Sequence, residues 1–169
     1  FAYKILDKFR KQKLIKKIGV SIYEPKILNN IFKIFKPDMV QFPLNVFDQR
    51  IIDEGWLDYL FRNNIETQAR SIFLQGFLLK NKMPKKFKIW KNEFREWQKW
   101  VKKKGVTKLQ ACIAYVKQLK EVDKIIIGFE NKKQLEEIVR VYKEIKKNKK
   151  TNFQINNIHL NLIDPRRWR

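Results

Sequence analysis

The sequence predicts an α/β fold in which four parallel strands form half of an eight-stranded (β/α)8 TIM barrel. Short apolar segments alternate with amphipathic ones along the 169 residues, which requires parallel strands joined by right-handed crossovers. Each apolar segment turns polar at its carboxyl end, where ligands bind in α/β proteins. Four strands could also form a small open sheet. The absence of a methionine at Phe1 and a length roughly that of a half-barrel favour the second interpretation, half of a larger barrel.

The first part of the chain contains three predicted helices and two predicted strands. The helices place apolar residues at intervals of three and four. Pro25 ends the first strand, and Pro37 ends the second helix. The predicted order is a helix over 3–17, a strand over 18–23, a helix over 27–35, a strand over 39–44 and a helix over 56–62.

The second part adds two strands and three helices. An aromatic stripe at spacings of three and four predicts a helix that buries one face, and it consists of Phe87, Trp90, Phe94, Trp97 and Val101. Thr107 and Gln110 form a capping box for the next helix, and Asn131 caps the last one. The predicted order is a strand over 65–73, helices over 87–101 and 107–119, a strand over 124–128 and a helix over 131–146. The continuously apolar run at 125–127 predicts a strand covered on both faces, so we expect the inner face of the sheet to be apolar.

Composition indicates a packed globular protein. Hydrophobic residues make up 44% of the chain, which includes 13 Phe, 5 Tyr and 5 Trp. No apolar run reaches the roughly 20 residues that span a bilayer, and the single Cys112 excludes an internal disulfide and fits a reducing compartment. We expect a cytoplasmic protein without a membrane partner, with one domain over 1–147 and a polar C-terminal tail over 148–169.

The net charge of +22 could indicate a nucleic-acid partner. The cations are mostly lysines on helix faces and in surface runs, however, and the whole composition leans towards Lys, Ile, Asn and Phe. We interpret the charge as a solvated surface. A basic nucleic-acid-binding module is kept as the alternative.

Candidate site residues lie where the strands end. Backbone N–H groups in the Gly-containing loop 71–76 suit a pyrophosphate, and the start of the last helix at Asn131, Lys132 and Lys133 suits a phosphate monoester. Each residue also has a structural interpretation: Ser21 as a turn residue, Gln41 as a satisfied core amide, Arg70 as the partner of a carboxylate, and the two lysines as surface residues. Acid–base groups are scarce, because the only histidine is His159 in the tail.

Four segments, in the same order and at the same intervals, resemble the aldo/keto reductase family. They are IGVS at 18–21, VQFPLN at 40–45, QARSIFLQG at 68–76 and IGFENKKQL at 127–135. The resemblance extends over about residues 3–142. It implies a (β/α)8 barrel that reduces aldehydes and ketones with NADPH and without a metal, and it assigns this chain to the C-terminal half, about strands five to eight.

The resemblance assigns roles to individual residues. Ser21 and Gln41 match the residues that bind the nicotinamide carboxamide, and Arg70 stands where many members stack an aromatic ring on the nicotinamide. Ser71, Phe73, Gln75 and Gly76 match the loop around the pyrophosphate. The adenosine and 2′-phosphate segment corresponds to Gly128, Asn131, Lys132, Lys133, Gln134 and Glu137. Gln134 replaces a frequent arginine, and because Lys132 and Lys133 could supply its charge, NADPH is preferred over NADH.

The catalytic Asp, Tyr, Lys and His of the family lie in the first half of the barrel, and no tyrosine of this chain matches the proton donor. The resemblance therefore implies a chain that is inactive by itself and a complete parent protein that reduces small carbonyl substrates. A non-catalytic, reductase-like regulatory subunit is the other alternative.

Overall fold

The computed structural model describes residues 2–145, 153 and 158–168. Four strands and eight α-helices lie within these residues. In chain order they are α1 (Ala2–Lys11), β1 (Gly19–Ser21), α2 (Leu28–Ile34), β2 (Met39–Pro43), α3 (Arg50–Asp53), α4 (Trp56–Arg62), β3 (Glu66–Arg70), α5 (Lys91–Lys104), α6 (Lys108–Lys117), β4 (Lys124–Ile125), α7 (Lys132–Glu144) and α8 (Leu160–Ile163). Short 3₁₀ turns cover Pro25–Ile27, Phe77–Leu79, Lys85–Trp90 and Pro165–Arg167.

The four strands form one parallel sheet in the order β1-β2-β3-β4, as the alternation of segments predicted. In register, Ser21 lies beside Gln41, Gln41 beside Gln68, and Gln68 beside Lys124. The polar residues near the strand ends are therefore brought side by side on neighbouring strands.

The two faces of the sheet differ, which corrects the expectation of strands covered on both faces. Val40, Phe42 and Ala69 point to the helix-covered face and are fully buried. The opposite, inner face carries polar side chains instead of the expected apolar ones, namely Ser21, Gln41, Glu66, Gln68, Arg70 and Lys124. The strand β4 covers only Lys124–Ile125 instead of the predicted 124–128, and Ile126, which follows it, is 42% exposed.

The helices differ from prediction at their ends. The first helix ends at Lys11 rather than at residue 17. Helix α7 extends to Glu144, and its predicted end at residue 146 lies outside the described residues. The predicted boundary between the domain and the C-terminal tail, at residues 147 and 148, also lies outside them. The capping box at Thr107 and Gln110 is confirmed, as is the Asn131 cap. Local side-chain-to-backbone bonds determine these caps, and this is why they were predictable.

The predicted aromatic stripe is divided between two elements, because Phe94, Trp97 and Val101 are buried on α5 whereas Phe87 and Trp90 lie in the 3₁₀ turn before it. Trp97 is fully buried and its indole Nε1–H donates to the carbonyl oxygen of Leu78 at 2.9 Å. The C-terminal segment, residues 158–168, also packs into the core. Leu162 is fully buried, and the Trp168 ring lies edge-on to Phe87 with centroids 4.6 Å apart. The C-terminal segment is thus packed against the loops that follow β3.

The contacts of one carboxylate on the inner face, that of Glu66, predict that the folded state loses stability in acid. Glu66 accepts hydrogen bonds from Lys124, Lys17 and Gln68, and these lower its pKa from 4.5 to about 2. Because the folded-state pKa is depressed, the stabilisation is present above about pH 4.5 and is lost as the pH falls towards 2. We expect Glu66→Gln to flatten the dependence of the urea midpoint on pH across this window. The exposed Glu54→Gln is the control, and equal slopes in wild type and Glu66→Gln would contradict the assignment.

Candidate functional site

A cavity of about 1200 Å³ opens at the carboxyl ends of β3 and β4. The loop 71–81 lines one side, the segment 126–138 lines another, and residues 106–109 at the start of α6 contribute a third wall. Eight of the thirteen predicted site residues line it: Arg70, Ser71, Phe73, Gln75, Gly76, Gly128, Gln134 and Glu137. Two loops predicted separately from the sequence therefore share one cavity.

The loop after β3 has an unusual backbone. Ser71, Leu74 and Gln75 have positive φ angles of 58°, 47° and 51°, and Gly76 follows at 76°. Non-glycine residues rarely adopt this conformation, and where they do, they often lie at ligand sites. Within the described residues, the backbone N–H groups of Phe73, Gln75 and Gly76 donate to no acceptor. They are available to an anionic ligand, and the predicted binding of a pyrophosphate here stays a prediction.

Buried contacts hold this loop in place. Leu74 and Leu78 are fully buried, and the indole of Trp97 donates to the carbonyl oxygen of Leu78. At the other end, the side-chain amide of the buried Asn45 donates to the carbonyl oxygen of Ser71 at 3.1 Å. The strained backbone is therefore anchored on both sides, which maintains its shape before any ligand binds.

Arg70 connects the cavity to the end of β1. Its Nη2 donates to the carbonyl oxygen of Ile22 at 3.0 Å, and its Nη1 donates to the Ser71 hydroxyl at 3.2 Å. The guanidinium also lies 4.2 Å from the ring centroid of Tyr23, and Arg166 of the C-terminal segment lies 4.0 Å from the same ring. Arg70 thus has neutral partners and, within the described residues, pairs with no carboxylate. Its charge is available to a ligand.

Ser21 and Gln41 form a polar pair beside the cavity rather than in its wall. The Ser21 hydroxyl donates to Gln41 Oε1 at 3.0 Å, and Gln41 Nε2 donates to Gln68 Oε1 at 3.3 Å. The backbone links this pair to Arg70, because the Ile22 N–H donates to the Gln41 carbonyl and the Ile22 carbonyl accepts from Arg70. Hydroxyl and carboxamide groups in this arrangement can bind a ligand amide.

The remaining predicted residues lie at the start of α7, outside the cavity wall. Asn131 Oδ1 accepts from the Gln134 backbone N–H at 3.0 Å, and Gln134 Oε1 accepts from the Glu130 N–H at 2.9 Å. Lys132 pairs with Glu136 at 3.6 Å, and both side chains are largely exposed, as is Lys133. The helix cap is thus satisfied internally, and the two lysines are at the surface.

Sequence reasoning missed one wall of the cavity. Lys80, Asn81 and Lys108 line it. Lys108 Nζ donates to Asn81 Oδ1 at 3.0 Å and also to the carbonyl oxygen of Lys80, and burial lowers the pKa of the Lys108 ammonium. The capping box did locate Lys108 in the first turn of a helix. Its contact with a loop 27 residues earlier, however, leaves no signal in the sequence.

A comparison with protein-family models finds that the aldo/keto reductase family model matches residues 2–159. The chain belongs to the aldo/keto reductase family. A comparison with curated protein sequences finds no match.

Solved aldo/keto reductase structures share the fold. The aldo-keto reductase AKR11C1 from Bacillus halodurans has a TM-score of 0.67 at 14% identity over 82% of this chain and 48% of its own. The thermostable aldo-keto reductase Tm1743 has a TM-score of 0.58 at 19% identity, over 94% of this chain and 50% of its own. The glycerol dehydrogenase AKR11B4 from Gluconobacter oxydans has a TM-score of 0.52 at 18% identity, over 89% of this chain and 56% of its own. The chain spans about half the length of these proteins. The prediction of an α/β fold forming part of a (β/α)8 barrel is confirmed.

The cavity of this aldo/keto reductase chain suits a nicotinamide dinucleotide, the cofactor type that the family generally uses. Free backbone N–H groups complement phosphates, while Phe73, Ile127 and Ile138 offer apolar contact to a flat ring system. Within the described residues, no three His, Cys, Asp or Glu side chains are grouped so that they could hold a metal ion. Among the same residues, no helix is long and apolar enough to cross a membrane.

Proposed function

We propose that this chain supplies the cofactor-binding half of an NADPH-dependent aldo/keto reductase that reduces aldehydes or ketones. One observation carries the proposal: residues predicted from separate motifs line a single cavity whose loop offers free N–H groups. When bound, the cofactor supplies a hydride to the carbonyl carbon. The residues of this chain bind and orient the cofactor, and they transfer no proton. The single buried Cys112 is compatible with a role in the cytoplasm.

Each group of residues has its own part in this proposal. Ser21 and Gln41 bind the nicotinamide carboxamide and thereby determine which face of the ring meets the substrate. Arg70 stacks on the nicotinamide, as a planar guanidinium can. Ser71, Phe73, Gln75 and Gly76 surround the pyrophosphate. The adenosine end is bound by Gly128, Asn131, Lys132, Lys133, Gln134 and Glu137. The proton comes from a tyrosine of the family's first barrel half, to which no residue of this chain corresponds.

A fluorescence titration of the purified 169-residue chain tests the proposal. We expect saturable binding of NADPH, tighter than that of NADH, because the phosphate adds charge-assisted hydrogen bonds. In the same preparation, carbonyl-dependent oxidation of NADPH should be absent, since no residue of this chain corresponds to the catalytic residues of the family. Absence of dinucleotide binding would refute the binding role, and turnover would refute the assignment of catalysis to residues outside this chain.

The distribution of lysines favours a second candidate, a nucleic-acid-binding module. Residues 80–108 carry 12 Lys or Arg against 2 Glu, and most of these cations are exposed on α5 and the turn before it. Binding through such a surface would weaken steeply with salt. Gel-shift titrations with single- and double-stranded DNA and RNA at two salt concentrations measure this. Tight, salt-sensitive binding without binding of NADPH would favour the second candidate.

A further inference from the structure

The charges in the cavity wall are unevenly distributed. The positively charged residues that line it are Arg70, Lys80 and Lys108. The charged residues that the segment 126–138 contributes to the lining are both acidic, Glu130 and Glu137. The lysines at the start of α7, predicted to bind a phosphate, are not among the lining residues. The cations among the lining residues therefore lie on the side formed by Arg70, the loop 71–81 and α6, and they attract a phosphate to that side.

Lys108 has the geometry of a phosphate ligand. Its ammonium group has three protons, and two of them are directed at uncharged oxygens, Asn81 Oδ1 at 3.0 Å and the Lys80 carbonyl. Within the described part of the chain it pairs with no carboxylate, so its charge is uncompensated. Its half-buried position in the cavity wall makes an interaction with an anion stronger than the same interaction on an open surface.

Different phosphates of a dinucleotide fit different parts of this cavity. The free N–H groups at Phe73, Gln75 and Gly76 suit the pyrophosphate. Lys108 contacts the loop farther on, at residues 80–81, and shares the cavity with Gln134 and Glu137 of the adenosine segment. The isolated phosphate at the adenosine end, the 2′-phosphate, is thus left for Lys108.

We propose that Lys108, held by Asn81 and the Lys80 carbonyl, binds the 2′-phosphate of NADPH and gives the chain its preference for NADPH over NADH. This inference rests on the proposed function above. It moves the discriminating charge from the start of α7, where the sequence predicted it, to the start of α6.

Dissociation constants of both dinucleotides for the purified chain and two variants test the proposal. We expect Lys108→Met to weaken NADPH binding about tenfold or more and to leave NADH binding unchanged. Lys103→Met, which removes one exposed lysine of α5, is the matched control for net charge, and it should change neither constant. Lys108→Arg keeps the charge and should retain the preference.

The outcomes separate the two proposals. If wild type binds neither dinucleotide, the proposed function is wrong, and the Lys108 assignment is wrong with it. If wild type prefers NADPH and Lys108→Met keeps the same ratio of affinities, only the Lys108 assignment is overturned. An equal loss for NADPH and NADH in Lys108→Met, with unchanged circular dichroism, would place Lys108 at the pyrophosphate and also overturn it. If Lys108→Met fails to fold, Lys108→Gln takes its place in the same measurement.

Discussion

Replacing Trp97 with alanine is expected to lower the free energy of unfolding by about 3–5 kcal/mol. The Trp97 side chain is fully buried between Phe47 and Trp100, and its indole bonds the Leu78 carbonyl under the strained loop. Its removal leaves a large cavity and an unpaired carbonyl oxygen. Because Leu78 anchors the proposed pyrophosphate loop, affinity for NADPH should fall as well.

Urea denaturation followed by circular dichroism measures this effect. Trp97→Phe keeps most of the apolar volume but removes the N–H donor, so its loss should be smaller than that of Trp97→Ala. Ile89→Ala is the control, since Ile89 is 80% exposed and its truncation should change the free energy of unfolding by no more than about 0.5 kcal/mol. Equal midpoints for wild type and Trp97→Ala would show that α5 does not hold the core together.

Arg70→Met is expected to weaken NADPH binding by about 10–100-fold. The substitution removes a cation from the cavity wall together with its bonds to Ile22 and Ser71. The end of β1, with Ser21, then loses its connection to the loop that surrounds the pyrophosphate. Nicotinamide and pyrophosphate contacts should therefore weaken together.

Isothermal titration calorimetry with NADPH tests this expectation. Arg62→Met is the matched control, because Arg62 forms an exposed ion pair with Asp58 on α4, away from the cavity wall. Arg166→Ala removes the second guanidinium from Tyr23 and should weaken NADPH binding less than Arg70→Met does. Unchanged affinity in Arg70→Met would contradict the role of Arg70 in the site.

Local features of the chain predicted much of the fold. The alternation of apolar and amphipathic segments indicated four parallel strands, and the caps at Thr107 and Asn131 were predicted from residues only three positions apart. The loop 71–76 was likewise predicted to bind an anion, which stays a prediction, and four of its residues have positive φ angles. All of these depend on interactions between near neighbours in sequence, where residue type and spacing are sufficient.

The sequence by itself determined the family, the parallel α/β fold and eight of the residues that line the cavity. Only the tertiary structure decided that the inner face is polar, that the guanidinium groups of Arg70 and Arg166 both lie against the Tyr23 ring, and that Lys108 donates a hydrogen bond to Asn81 in the cavity wall. These contacts join residues from 27 to more than 140 positions apart. They follow from how the packed helices place the loops, and no periodicity or local motif encodes that placement.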